Sequence, residues 1–389
     1  MQNSGKLAAA AAAVVAAATP AFAQTPLATV SAEYTAEVIG PVDGASTQRG
    51  RFLDNLSIEA GLNLERAIGW QGAALNLHLL NNSGGEPNQD VGSLEGVSNI
   101  EVARHRAKVF EFWLEQQAGR HNFVVGFYDL NRDFYATESA GLLLAPPFGI
   151  GSEIAATGTN GPSIFPSSAL GARWHVAPSS STYVQTAVFD ASAGVLGDPD
   201  DISGSFENGA LLIGEAGITK SGKLALGLWS STQAQPDIRD LTSTGDPADA
   251  DARGAYLLAE HDVLDRAPGT ITAFVRAGLS DGDTTDFEGG WQTGFNWSGF
   301  SASRPDAVAA LGLRHGAISP KARDNMRDAG MDPSTGEYGL ELTFADQITP
   351  WLSVQPDLQL IWNPGADDQA DTITVLGVRA AIALDRTWD

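Results

Sequence analysis

From residue 352 to residue 362 the chain alternates strictly. Leu352, Val354, Pro356, Leu358, Leu360 and Trp362 fall in one phase, and Ser353, Gln355, Asp357 and Gln359 in the other. A period of two places these sets on opposite faces of a β-strand, where a helix would mix them. The pattern also opens the chain, with Val30, Ala32, Tyr34, Ala36 and Val38 against Ser31, Glu33, Thr35 and Glu37. It recurs in Leu56, Ile58, Ala60, Leu62 and Leu64 against Ser57, Glu59, Gly61, Asn63 and Glu65, and again near residues 340 and 380. Such strands must cover their apolar face, either with a second sheet or with lipid.

Strand length and connections choose between the two. The alternating runs are about ten residues long, which matches a tilted membrane crossing. Gly is abundant, at 43 residues, and much of it falls inside strands, where a curved wall tolerates it. We count about sixteen strands between residues 27 and 385. Those near 107–117, 168–177, 208–218 and 336–346 end in tight links such as Ala177-Pro178-Ser179-Ser180 and Thr219-Lys220-Ser221-Gly222. Their partners end in long polar loops, the longest at 81–106 and 131–167. Short turns on one side and long loops on the other predict an all-β, antiparallel, up-and-down transmembrane barrel with both termini on the short-turn side. Backbone groups at membrane depth need partners, so the last strand is expected to pair with the first. Pro356 lacks a ladder donor and predicts a bulge or local gap in pairing.

The first residues name the compartment. Lys6 precedes an apolar run from Leu7 to Ala18, then Thr19-Pro20 and Ala21-Phe22-Ala23. This is a secretory signal layout, with cleavage expected after Ala23 and a single barrel domain over 24–389. No later stretch is long and apolar enough for a membrane helix. Lys and Arg number 23 against 47 Asp and Glu, which excludes electrostatic nucleic-acid binding. Without cysteine the chain has no disulfides and no cysteine-based metal or catalytic site.

In a barrel crossing lipid, the polar phase faces the lumen. That phase carries Glu33, Glu37, Glu59, Glu65, Glu111, Glu115, Glu215, Glu337, Glu341 and Asp357, with Arg120, Arg173, Arg276, Arg314 and Arg379. Trp113 and Tyr128 share it. Carboxylates, guanidinium groups and aromatics together suit a neutral polyol, which offers hydroxyls to charges and a ring face to aromatics. A non-selective pore whose wall charges merely pair and hydrate fits equally well, and the residues alone leave both open. The excess of inward Glu would make such a pore cation-preferring. A receptor with a shut lumen is a third class. Loop 131–167 carries Leu142, Leu143, Leu144, Phe148, Ile150, Ile154 and Phe165, which want burial. Folding into the lumen as a constriction would bury them, as would packing on the rim as a lid; we expect the constriction.

Several segments resemble the carbohydrate-selective porin family (OprB-type). They are SLEGVSNIEV at 93–102, VFEFWLEQ at 109–116, VGFYDLNRDFYATESAGLLL at 125–144, FGIGSEIAATGTNGPSIFP at 148–166, NGALLIGEAG at 208–217, GAYLLAE at 254–260 and TPWLSVQPDLQLIWNPG at 349–365. The resemblance implies a sixteen-stranded monomer in a Gram-negative outer membrane, passing monosaccharides such as glucose, without a cofactor. The chain departs from the pattern by ending Arg386-Thr387-Trp388-Asp389 rather than on an aromatic residue; Trp388 keeps the lipid-facing phase. The expected channel-lining set is Glu111, Trp113, Glu115, Tyr128, Arg173, Arg314 and Arg379, with Asn131, Arg132 and Asp133 at the loop's base.

Enzyme-like signals are weak. Gly278-Leu279-Ser280-Asp281-Gly282 matches the nucleophile-elbow pattern, but that motif needs a following helix and here an acidic loop follows. The six histidines show no metal-ligand spacing. Asp-rich loops at 198–201, 246–251, 281–286 and 365–371 lack calcium-loop spacing and read as solvated surface, with divalent bridging to lipopolysaccharide as the other use.

Overall fold

A computed structural model describes residues 25–158, 161–196, 204–265 and 268–389. The expected signal segment, residues 1–23, lies outside them, as does the Asp-rich stretch 198–201. Eighteen strands run in order: β1 (Ala28–Asp43), β2 (Arg51–Asn63), β3 (Ala73–Gly84), β4 (Arg106–Ala118), β5 (His121–Tyr128), β6 (Ala169–Ser179), β7 (Thr182–Asp190), β8 (Ala210–Ile218), β9 (Lys223–Ser231), β10 (Gln235–Leu241), β11 (Pro247–Ala250), β12 (Arg253–Asp265), β13 (Thr270–Ser280), β14 (Phe287–Ser298), β15 (Val308–Ile318), β16 (Gly336–Thr349), β17 (Leu352–Trp362) and β18 (Ile373–Trp388). Sixteen close into one antiparallel barrel; β10 and β11 form a separate hairpin in a loop. Closure runs from Ala28–Trp388 to Pro41–Val375 between β1 and β18, so the wall has no open edge.

The alternation separates the two faces as expected. On β18, Leu376, Val378, Ile382, Leu384 and Trp388 are exposed on the outside. Glu37, Arg276, Gln292, Arg314, Glu337 and Glu341 are buried on the inside. Exposed apolar side chains on a closed barrel are what a lipid-immersed wall requires. Pro356 keeps register with Val378 on β18. Towards β16 the ladder stops after Thr343–Asp357 and resumes at Asp346–Val354, a local gap at the proline.

Two features of the connections differ from expectation. On the short-turn side, 64–72 carries the one-turn helix α1 (Leu64–Ile68) and 299–307 is also extended. Glu65 therefore sits in α1, where its carboxylate accepts the Gly72 N–H at 3.0 Å, and not on the wall. Arg120 likewise lies exposed in the β4–β5 turn, donating to the Pro178 carbonyl at 2.9 Å, and not in the lumen. The alternation fixes phase only while the strand lasts, and both residues fall just past a strand end.

Inward-facing glycines explain how so much polypeptide fits inside. Gly278 on β13, Gly290 on β14 and Gly316 on β15 are cross-strand neighbours. A Cβ on Gly278 would overlap Glu153 Oε1 and lie 2.7 Å from Tyr135 Oη, while one on Gly316 would lie 2.9 Å from Glu95 Oε1. The short helix α3 (Ser152–Ala155), which carries Glu153, is seated there. These glycines make a groove in the wall rather than merely permitting curvature.

Candidate functional site

The loop between β5 and β6 folds into the barrel. Leu143, Leu144 and Phe148 are each 1% exposed and Ile154 is wholly buried, as their apolar character demands. The partners of this loop are inward residues of distant strands. The Glu341 carboxylate accepts the N–H groups of Leu144 and Ala145, and Gln355 donates to the Leu142 carbonyl at 2.7 Å. Arg276 donates to the carbonyls of Phe148 and Gly149. Glu260 accepts from the backbone and hydroxyl of Ser139. Glu215 receives the Tyr135 N–H at 3.2 Å, the Tyr183 hydroxyl at 2.6 Å and the Tyr256 hydroxyl at 2.8 Å. A rim lid would make none of these contacts.

The loop between β3 and β4 also turns inward. It contains the short helix α2 (Asn88–Val91). Glu337 accepts from the Ser93 hydroxyl and from the Leu94 N–H at 2.9 Å. Gln359 donates to the Val97 carbonyl at 2.8 Å. Glu95, fully enclosed, pairs with Arg314 at 2.8 Å and accepts the Ser152 hydroxyl at 2.9 Å. The Asn99 N–H reaches the Leu144 carbonyl at 2.7 Å, so the two inward loops also hold each other.

Most of the expected lining residues gather on β4–β6 and the loop base. Arg132 stacks its guanidinium 3.9 Å from the Trp113 ring centre and 5.1 Å from that of Tyr128, within cation–π range. Gly126 lies opposite Trp113 in the ladder with φ 141°, a conformation that excludes most side chains and leaves the indole room. Asp133 bridges Arg132 at 3.0 Å and Arg173 at 2.7 Å, and Arg173 also donates to Asn122. Glu115 accepts from Asn122 at 2.6 Å. Glu111 accepts the Asp129 N–H at 2.8 Å. Asn131 braces the loop instead of facing the pore, donating to the carbonyls of Phe134 and Gly149 at 3.1 Å. Within this cluster Tyr128 Oη, Arg132 Nη1 and Arg173 Nε are buried without a hydrogen-bond partner, and Tyr128, expected to line the channel, is wholly enclosed against Phe189. Arg314 and Arg379 stand apart on β15 and β18. Arg314 is tied to Glu95, and Arg379 to Glu37 at 2.6 Å and Asn99 at 2.8 Å.

The residue list from alternation omits Glu95, which holds wall and both inward loops. One signal was present: a lone carboxylate within the small, apolar run VGSLEGVSN must find a partner if that run is buried. His78 lies 2.7 Å from Ser57 Oγ and 3.2 Å from the Glu111 carboxylate, a nucleophile–base–acid spacing. Ser57 is paired in the ladder to both Glu33 and Leu80, so the surrounding N–H groups are committed and supply no oxyanion hole. At Ser280 the strand ends, no helix follows, and the hydroxyl donates to the Phe287 carbonyl.

A closed sixteen-stranded barrel with an apolar outer belt and loops folded into a charged lumen defines a porin of the Gram-negative outer membrane. The chain belongs to the carbohydrate-selective porin, OprB family, whose model matches residues 47–384. Porin B of Pseudomonas aeruginosa is 24% identical, with 89% of this chain and 85% of that protein aligned. Among solved structures, the high-pH form of Pseudomonas putida OprB matches with TM-score 0.81 at 20% identity, covering 92% of this chain and 94% of the other. The low-pH form matches at 0.58 and 18% identity, covering 91% and 92%. The Acinetobacter baumannii channel DcaP matches at 0.54 and 9%, covering 92% and 96%. The protein is a channel for carbohydrates and not an enzyme.

Proposed function

We propose that the channel passes small neutral sugars of monosaccharide size, such as glucose. The β5–β6 loop forms the constriction, and the β4–β6 cluster forms the contact surface. The observation that carries this reading is the stack of Arg132 on Trp113, both partly exposed, with the partly exposed Asp133 paired to the guanidinium at 3.0 Å. A sugar ring offers hydroxyls to the Arg132 and Asp133 charges and an apolar face to Trp113. Binding must stay weak so that entry does not become trapping. Liposome swelling tests the proposal. Purified protein should speed glucose entry over that of empty liposomes; an equal rate would overturn it.

The general cation-preferring pore draws less support than the count of inward carboxylates suggests. Glu341, Glu337, Glu215, Glu260 and Glu111 already accept backbone N–H groups of the loops. Reversal potentials in a salt gradient separate the readings: strong cation selectivity without sugar block favours the plain pore. We further infer that the chain is cleaved after Ala23, works as a monomer, and meets lipid and lipopolysaccharide chains with its outer belt. The mass of the protein from outer membranes, starting at Gln24, and its size in detergent test these points.

A further inference from the structure

We propose that Glu341 is a positioning residue of the pore, setting channel calibre and sugar selectivity through the loop backbone and not through its negative charge. The selectivity part rests on the sugar-channel reading above. The calibre part does not.

Glu341 lies inside β16, 1% exposed, with its two oxygens accepting the adjacent N–H groups of Leu144 and Ala145. Those donors belong to a segment where Leu143, Leu144 and Ala145 are each 1% exposed, so water cannot reach them easily. A buried N–H without an acceptor is costly, and a carboxylate can serve two donors at once. Gln355, on neighbouring β17, completes the grip by donating to the Leu142 carbonyl at 2.7 Å. One acceptor and one donor on adjacent strands thus hold the loop at residues 142–145. Gln355 also donates to the Thr343 hydroxyl at 2.9 Å. Phase alone would assign Glu341 and Gln355 to a water-lined wall, yet both are buried, at 1% and 9% exposure.

Glu337, four residues earlier on the same face of β16, repeats the device. It accepts the Leu94 N–H at 2.9 Å from the other inward loop and the Gly365 N–H at 3.0 Å from the β17–β18 connection. Glu59 makes the contrast. Its side chain is 55% exposed and holds no loop backbone, 4.0 Å from His78 being its nearest ion-pair approach. Glu59 can act on ions as a charge; Glu341 is occupied.

Three variants distinguish position from charge, read as single-channel conductance and reversal potential in KCl. E341A removes both acceptors and should raise conductance and current noise and abolish sugar block. E341Q removes the same charge but keeps one carbonyl acceptor, so it should fall between wild type and E341A. Q355A changes no charge, yet should also raise conductance, with the reversal potential unmoved. E59Q should do the reverse, shifting the potential at constant conductance. Q355A keeps the test decisive if E341A does not fold. The proposal is overturned if E341A and E341Q shift the reversal potential equally at unchanged conductance, or if Q355A leaves conductance as it was. KCl conductance contains no sugar. A rise with E341A while wild type shows no sugar block would retire the sugar reading and leave the calibre role standing.

Discussion

At the scale of single residues, the alternation told which side chains face inward but not what they touch. Arg132 illustrates the difference. Its guanidinium covers the Trp113 face, so the aromatic platform is shared with a cation and is not an open stacking surface. Arg132→Ala should weaken sugar block of the channel current by roughly two- to twelvefold, the worth of one hydrogen bond at about 0.5–1.5 kcal/mol. It should leave barrel stability nearly unchanged, because Arg173 still pairs with Asp133 at 2.7 Å. Current-fluctuation analysis with glucose checks the first point and thermal unfolding the second. Gly278 makes the opposite case. An added Cβ there meets Glu153 Oε1 and Tyr135 Oη, so α3 must lift from its groove. Gly278→Ala should cost about 1–3 kcal/mol of loop seating, the usual penalty of overpacking. Conductance should change while strand content by circular dichroism does not.

The elements divide into those written locally and those written by contact. The strand expected near 208–218 runs Ala210–Ile218 as β8, and the one expected near 336–346 runs Gly336–Thr349 as β16. Period two and turn chemistry are local, so they survive without knowledge of neighbours. The hairpin β10–β11 escapes the alternation, since QPDIRDL carries no clear period of two and pairs over a loop. The β5–β6 loop was expected inside because of its apolar content, but its anchors lie far along the chain, at Glu215, Arg276 and Glu341. No local pattern encodes those pairings. The β3–β4 loop adds a pH effect. Burial pushes Glu101 up to about 7, helped by Glu86 and Glu37 and opposed by the Asn88 N–H and Arg51. Burial pushes Glu95 on the same loop up to about 7 as well, against the pull of Arg314. A carboxyl with a raised folded-state pKa binds its proton more tightly in the seated loop, so seating weakens as pH rises through that value. Hydrogen exchange over residues 86–101, corrected for intrinsic rates, should therefore be slower at pH 5.5 than at pH 8. Glu101→Gln should shrink the difference without abolishing it, Glu95 carrying the remainder.

Over the whole molecule, the barrel and its outer cap are held by different forces and should fail separately. Every barrel strand is paired on both sides, and closure through β1 and β18 leaves no edge from which to unzip. The cap seats Ala322, Met326 and Ile238 on a small apolar cluster with Phe287 and Ile318, and ion pairs lock its outer face. Helix α4 (Pro320–Asp328), N-capped by Ser319, presents Lys321 to Asp237, to Asp240 at 2.8 Å and to Asp283 at 2.8 Å, joining three outer connections. Arg239 adds Asn325 at 2.7 Å and Asp328 at 2.9 Å. The hydrogen bonds it donates to those three aspartates hold the Lys321 ammonium above its ordinary range. Burial alone would raise Asp237, but the Lys321 bond and the N–H groups of Asp240 and Arg239 outweigh it and hold the carboxyl low. The lysine's contribution persists until pH rises past its ordinary value, and the aspartate's until pH falls below its own. The cap should thus be insensitive to pH between about 4 and 10. Salt is the effective lever, because these partly exposed pairs are screened at about 3 Å in 1 M electrolyte. Raising NaCl from 0.1 to about 1 M, or replacing Lys321 by Met, should speed hydrogen exchange across 235–250 while β12 and β13 stay protected. Equal loosening of cap and strands would mean that the outer loops are part of what keeps the barrel closed, and that the two do not fail separately.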